Sequence, residues 1–313
     1  MQQAEDIFRV ASSSKEANED LGLLHNLPGT WIGKGFNLIA RPAHEGEEGK
    51  PPFFLELNAT QETLEFTAIG GAIPNRGDVQ KTKLLHAVHY LQTVADCADN
   101  TFIHKEPGLW VHVPPLPDDA SERYVRHAVI PHGDSLLAQS TFFTTLKEEG
   151  PRIEHVNSLP FPIGDPIPDL NDVVHRTDEN PEYIGPFEKE PLPGECLPPG
   201  LQAAKTIRDP TEVLRAQIAG QKFIETDVIV ISTEPAEDEN PPAGGILNIP
   251  FVIKNANAKQ MDAIFWIEKV ERPGYDPRRD RNFLQLQYVQ RVILDFGPLH
   301  WPHVSVATLV KTA

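Results

Sequence analysis

Gly29-Thr30-Trp31-Ile32-Gly33-Lys34-Gly35-Phe36 is the stretch from which the fold is read. Side chains on a strand alternate between faces, so Trp31, Gly33, Gly35 and Asn37 share one face, and Ile32, Lys34, Phe36 and Leu38 the other. Two glycines beside a Trp suit a strand that bends or lets another backbone come close, as at the closed end of a small barrel.

Outward from this stretch, β-type runs recur between turn signals at 30–41, 53–58, 63–69, 86–94, 101–105, 109–113, 124–130 and 136–146. Further runs follow at 226–232, 246–254, 261–271, 283–294 and 303–311. Pro74-Asn75-Arg76-Gly77, Glu106-Pro107-Gly108 and Pro131-His132-Gly133-Asp134 read as the turns between them. Thirty prolines, about twice average usage, argue against long helices, and the chain reads as all-β. A Pro-rich stretch at 160–201 has little periodic hydrophobicity and is expected to cross the surface as a lid or an interaction arm. Asp209-Pro210-Thr211-Glu212 then opens the one expected helix, with Asp209 as N-cap and Gly220 as its stop. This divides the chain into a polar leader at 1–20 and a barrel at 21–313, with an arm and short helix inserted at 160–224.

A net charge of −17 over 313 residues argues against nucleic acid and anionic membrane surfaces as partners. The start of the chain lacks a secretory signal and no segment is apolar enough to span a bilayer, so a cytoplasmic protein is expected. Cys97 and Cys196 have no metal-type spacing and are expected to remain free thiols.

Several motifs have chemical possibilities. Gly133-Asp134-Ser135-Leu136 with Asp172-Val173-Val174-His175 resembles the blocks of GDSL esterases, but a Ser in a hairpin turn has no positioned base, and Ser135 is read as a turn residue. His86/His89 and His300/His303 are spaced by three, which places each pair on opposite faces of a strand and prevents chelation. His104 and Glu106 share a face and, with His112, form a candidate two-His, one-carboxylate set, for which ordinary hydrogen bonding is the expectation. On the last strand, one face carries His303, Ser305, Ala307 and Leu309 and the other Val304, Val306, Thr308 and Val310. From the strand alone, the Val face is expected inside, with His303 at the rim.

Three segments together resemble the calycins, and within them the nitrobindin-like haem proteins with a fatty-acid-binding-protein type of barrel. They are Gly29 to Gly35, as Gly-x-Trp-x-Gly-x-Gly; Ile103-His104-Lys105-Glu106-Pro107-Gly108-Leu109-Trp110, with Trp110 one place beyond the family's aromatic; and the closing His303 to Lys311. The resemblance implies a single antiparallel barrel of about ten strands with a cavity open at one end. It also implies haem, with His303 as the fifth ligand of the iron and an apolar distal side. Residues 147–224 have no counterpart in it. Trp31 is then expected to close the base, Phe36 or Leu38 to line the wall, and His104 or Trp110 to stand near the mouth. Two alternatives use the same cavity for a small hydrophobic molecule or peptide. One is a cofactor-independent cyclase or isomerase of a biosynthetic, natural-product pathway, with His89, His104 or Glu106 as acid and base. The other is a non-catalytic carrier; a homodimer is possible in either case.

Overall fold

The computed structural model describes residues 20–42, 53–77, 82–115, 121–172, 192–194, 196–234, 244–274 and 281–312. Thirteen strands form one sheet system: β1 (Gly29–Pro42), β2 (Phe53–Ala68), β3 (Ile73–Asn75), β4 (Lys83–Asp96), β5 (Phe102–Val113), β6 (Arg123–Ile130), β7 (Asp134–Lys147), β8 (Phe161–Pro162), β9 (Phe223–Ser232), β10 (Gly245–Asn248), β11 (Asn257–Glu271), β12 (Asn282–Phe296) and β13 (Leu299–Lys311). Ten of them run β1-β2-β4-β5-β6-β7-β9-β11-β12-β13, all neighbours antiparallel, and β13 pairs back onto β1 to close a barrel. Closure leaves no open edge among the ten. β3, β8 and β10 are short additions on β4, β13 and β7.

The glycines of the opening stretch act at this closure. A Cβ on Gly33 would run into the Thr308 carbonyl, and one on Gly35 into the Val306 carbonyl, so β1 can approach β13 only with hydrogen at those positions. Trp31, fully buried, plugs the base: its Nε1 donates to the Leu27 carbonyl at 2.7 Å, below a short 3-10 turn, Gly22–Asn26, that brings in Leu24. Lys311 closes the same end, with its ammonium 5.5 Å over the Trp31 ring and donating to the Asn26 carbonyl at 2.7 Å.

Two strands are longer than the sequence suggested. β2 runs unbroken through both 53–58 and 63–69, and β5 continues through Pro107-Gly108 where a turn was expected. At Gly108 a Cβ would meet the Tyr90 ring, so this glycine serves a close packing contact inside a strand. The expected strand at 246–254 is instead β10 followed by a helical turn at Pro250–Asn255, with Pro250 at its start. The helix expected from Asp209 is two short pieces, α1 (Ala203–Arg208) and α2 (Glu212–Gln217), and Pro250–Asn255 is α3. Asp209 does not cap: it accepts from Thr211 and pairs with Arg215.

Apolar burial falls in two places. One cluster fills the lower barrel around Trp31, Leu64, Phe66, Trp110 and Phe265. The second lies outside, where Val156, Leu159, Leu170, Ile207, Val213 and Leu214 of the arm cover Phe36, Leu38, Trp266, Val304 and Val306 on the wall. Arg291 pins the arm, donating to the Pro168 carbonyl and to Asp262, each at 2.7 Å. Cys97 and Cys196, expected as free thiols, form a disulfide between the β4–β5 turn and the arm. Ninety-nine residues separate them in sequence, and only the arm's return across the wall brings them together. No helix among the described residues is long and apolar enough to cross a membrane.

Candidate functional site

The upper barrel encloses a cavity of about 410 Å³, open at the end opposite Trp31. No described arm residue lines it, so the described arm covers the wall and not the mouth. At the rim stand α3 residues Phe251 and Val252.

β13 turns its His303, Ser305, Ala307, Leu309 face inward, contrary to the expectation from the strand alone. On the other face Val304 and Val306 are also fully buried, but beneath the arm, while Val310 is exposed. His303 pairs in register with Val292, Ser305 with Asn37, and the Asn37 Nδ2 lies 2.8 Å from His303 Nε2 and 2.9 Å from Ser305 Oγ. An amide nitrogen donating to both leaves the His303 lone pair on Nε2. Burial, then the neighbouring His104, His132 and Arg41, push the His303 ring down to about 3, so it is neutral at physiological pH. His104, on β5, and His132, in the turn after the adjacent β6, lie side by side at the mouth with ring centroids 5.6 Å apart.

Below the imidazoles lie two polar clusters. Glu106, 1% exposed, is gripped by Arg126 Nη2 at 2.6 Å and by the Tyr90 hydroxyl, with His104 Nε2 3.4 Å from its other oxygen. Arg126 also donates from Nε to Tyr90 (3.0 Å) and from Nη1 to Gln290 (2.6 Å) and lies 5.5 to 6.0 Å over the Tyr90, Phe265 and Trp110 rings. Burial pushes the Glu106 carboxyl up, but Arg126, His104 and Tyr90 outweigh it and hold the group down at about 2. Glu62, 4% exposed, accepts from Tyr288 at 2.7 Å and from Gln92 and Thr60 at 3.2 Å each. Its carboxyl is pushed up by burial, which these three donors only partly offset.

Of the residues singled out from sequence, the cavity brings together His104, Glu106, Trp110 and His303. Trp31 is buried at the base beneath it. Phe36 and Leu38 are corrected: they point outward into the core under the arm. His89 is also corrected, because it is exposed on the outer face, out of phase with Tyr90 and Gln92. His112 joins neither His104 nor Glu106; it bonds the Asp20 carbonyl at 2.7 Å and Glu122 at 2.9 Å and stacks on Tyr124. Among the described residues no group of three His, Cys, Asp or Glu side chains is placed to hold a metal ion. Ser135 lies in β7, paired to Val129 and Leu247, so no nucleophile elbow forms; His175 of the esterase-like block lies outside the described residues. Glu62, Tyr90, Gln92, Arg126 and Tyr288 were not anticipated. Their signal was a polar or charged residue in phase with apolar ones: Glu62 with Leu64 and Phe66, and Arg126 with Tyr124 and Ala128.

No family model and no curated protein matches the chain. Among solved structures, the crystal structure of Rv2717c from M. tuberculosis is similar over 94% of this chain and 98% of that one, at 13% sequence identity and a TM-score of 0.41. The site is therefore read from this chain's own residues.

Proposed function

We propose that the barrel binds a small, mainly apolar molecule in its cavity, with haem as the named candidate. The observation that supports this reading is the cavity itself, about 410 Å³, with aromatic and aliphatic walls and a few buried polar anchors. Ligand sites in proteins are typically concave, largely preformed and of this order of size.

For haem, the donor is His303. It faces the interior, its ring is neutral, and its Nε2 lone pair is directed into the cavity region occupied by the Asn37 amide. A neutral imidazole is the form that ligates a metal, and Asn37 must turn toward Ser305 for Nε2 to be free. Bound haem would supply small-ligand binding and redox chemistry set by its axial ligand and surroundings. His104 and His132 would stand at the same mouth, with Trp110 and Phe265 deeper in the cavity.

Hemin titration tests this directly. The expected result is a saturable, shifted Soret band that is lost in His303→Ala while thermal melting stays cooperative. An unchanged band in that variant would remove His303 from the role. Separately, Nile red is expected to bind with saturable emission, reduced at least tenfold in affinity by Ser305→Trp, which narrows the cavity near its mouth; unaltered binding would overturn the cavity as the site.

A second reading, catalysis without a cofactor, is favoured by one observation: an imidazole held at a carboxylate in a cavity that also holds an isolated carboxyl group. In it His104 would carry the proton, Glu106 would orient the ring, and Glu62 would be the acid. Glu106, locked by Arg126, is too weak a base to take that part itself.

A further inference from the structure

The polar groups of the cavity can be sorted by whether their charge is already answered. Arg126 is answered by Glu106 at 2.6 Å, and Arg41, exposed at the rim, by Glu56 at 2.7 Å. The His303 ring carries no charge at neutral pH. Glu62 differs from all of these: it is 4% exposed, lines the cavity, and has no ion-pair partner among the described residues.

Its hydrogen bonds point in one direction. Thr60 Oγ1, Gln92 Nε2 and Tyr288 OH all donate to it, and an ionised carboxylate is an acceptor only, so the surrounding groups suit the anion. Burial opposes the anion, because a charge removed from water needs a partner of opposite sign. A cation set against Glu62 would resolve that conflict. The wall nearby already accommodates a cation: Arg126 lies 5.5 Å over both the Tyr90 and Phe265 rings, and Tyr288 stacks on Phe265 with centroids 5.6 Å apart.

We propose that Glu62 is the counter-ion for the protonated amine of a small, mainly apolar ligand. The proposal rests on the cavity being a ligand site, and not on haem. Glu62 lies deeper than His303: it pairs across the sheet with Gly33 of β1, whereas the His303 cluster meets that strand at Asn37. Four residues of strand separate the two levels, about 13 Å. The titratable groups that face Glu62 are Tyr288, from β12, and His104, two strands along the same row through Val94. His104 is hydrogen-bonded to Glu106, and Arg126 lies beyond Tyr288. The same arrangement disfavours anions, since the buried cation is already neutralised and an entering carboxylate would meet Glu62 and Glu106. On binding, the ammonium keeps its proton and Glu62 answers it as the carboxylate.

The experiment compares three probes of one shape, 1-naphthylmethylamine, 1-naphthylmethanol and 1-naphthoic acid, by calorimetry at pH 7 with the full chain. The expected order is amine tightest, by at least tenfold over both others. Glu62→Gln should bring the amine to the affinity of the alcohol and leave the alcohol within twofold. An alcohol that binds as well as the amine would overturn the amine assignment while the cavity reading stands. Failure of all three probes would overturn the cavity reading and the proposal with it. Should Glu62→Gln not fold, the wild-type affinity order of the three probes decides by itself.

Discussion

Glu106 of β5 and Glu62 of β2 face the same cavity, with β4 between their strands, and meet opposite conditions. Glu106 is surrounded by Arg126, Tyr90 and His104 and is held ionised; Glu62 is surrounded by Tyr288, Gln92 and Thr60 and is driven toward its neutral form. The difference teaches that burial alone does not decide the state of a carboxyl group; the sign of its neighbours does. One cluster is closed on itself and serves the wall. The other is complete in hydrogen bonds and incomplete in charge, which is why the ligand assignment falls there.

Removing the carboxylate of the closed cluster should have the largest effect. Glu106→Gln leaves Arg126, 3% exposed, without its counter-ion. Breaking one partner of a buried pair typically costs about 3–5 kcal/mol, and urea unfolding at pH 7 should show a loss of that order. The double variant Glu106→Gln, Arg126→Met should recover much of it, because the unanswered charge is gone. A loss under about 1 kcal/mol in the single variant would erase the distinction between the clusters, since surface pairs are worth no more than that.

Tyr90→Phe comes next. Its hydroxyl donates to Glu106 and accepts from Arg126 Nε at 3.0 Å, so the variant leaves both ions one bond short without changing charge. The expected loss is about 1–3 kcal/mol, read from the same denaturation curves. Tyr288→Phe, made as its counterpart, removes one donor from a carboxyl that has no ion-pair partner among the described residues, and should cost less. Equal losses would mean that the two hydroxyls do the same job.

Much of the barrel was legible in the sequence because alternation and turns are local. Gly33 and Gly35 marked the closure of β1 on β13, and Trp31 marked the base. Alternation could not tell which face of these two strands is inside, because the arm buries the outer face over 36–40 and 304–306, where the apolar residues lie, and leaves Ile32 and Val310 exposed. Phe36, Leu38, Val304 and Val306 are all fully buried, yet outside the cavity. The disulfide was hidden for a related reason, as its partners meet only through the fold of the arm. In the cavity, His104, Glu106 and His303 stood out by residue type. Arg126 and Glu62 were not singled out, because their partners lie on other strands and meet them only through the ring order of the barrel.

The smallest effect at neutral pH is also the one that separates the clusters by sign. Glu62→Gln should change stability by no more than about 1 kcal/mol at pH 7, because the group it replaces is buried without an ionic partner. Its signature is in the pH dependence. A carboxyl raised in the folded state gives stability that is fully present below its unfolded value, roughly 4.3, and is lost as pH rises through the folded value. Glu106, lowered to about 2, gives stability that is present above roughly 4.3 and is lost as pH falls through its folded value. Glu268, pushed up to about 8 by burial on the outer wall, adds a second alkaline loss, so the measurement must be a difference between wild type and variant. The wild-type minus Glu62→Gln curve should therefore decline with rising pH above about 4.3, whereas the wild-type minus Glu106→Gln curve should climb from about pH 2 and then level off. Two difference curves of the same slope would show that both carboxyls are ionised in the folded protein, and would leave Glu62 with no conflict for a cation to resolve.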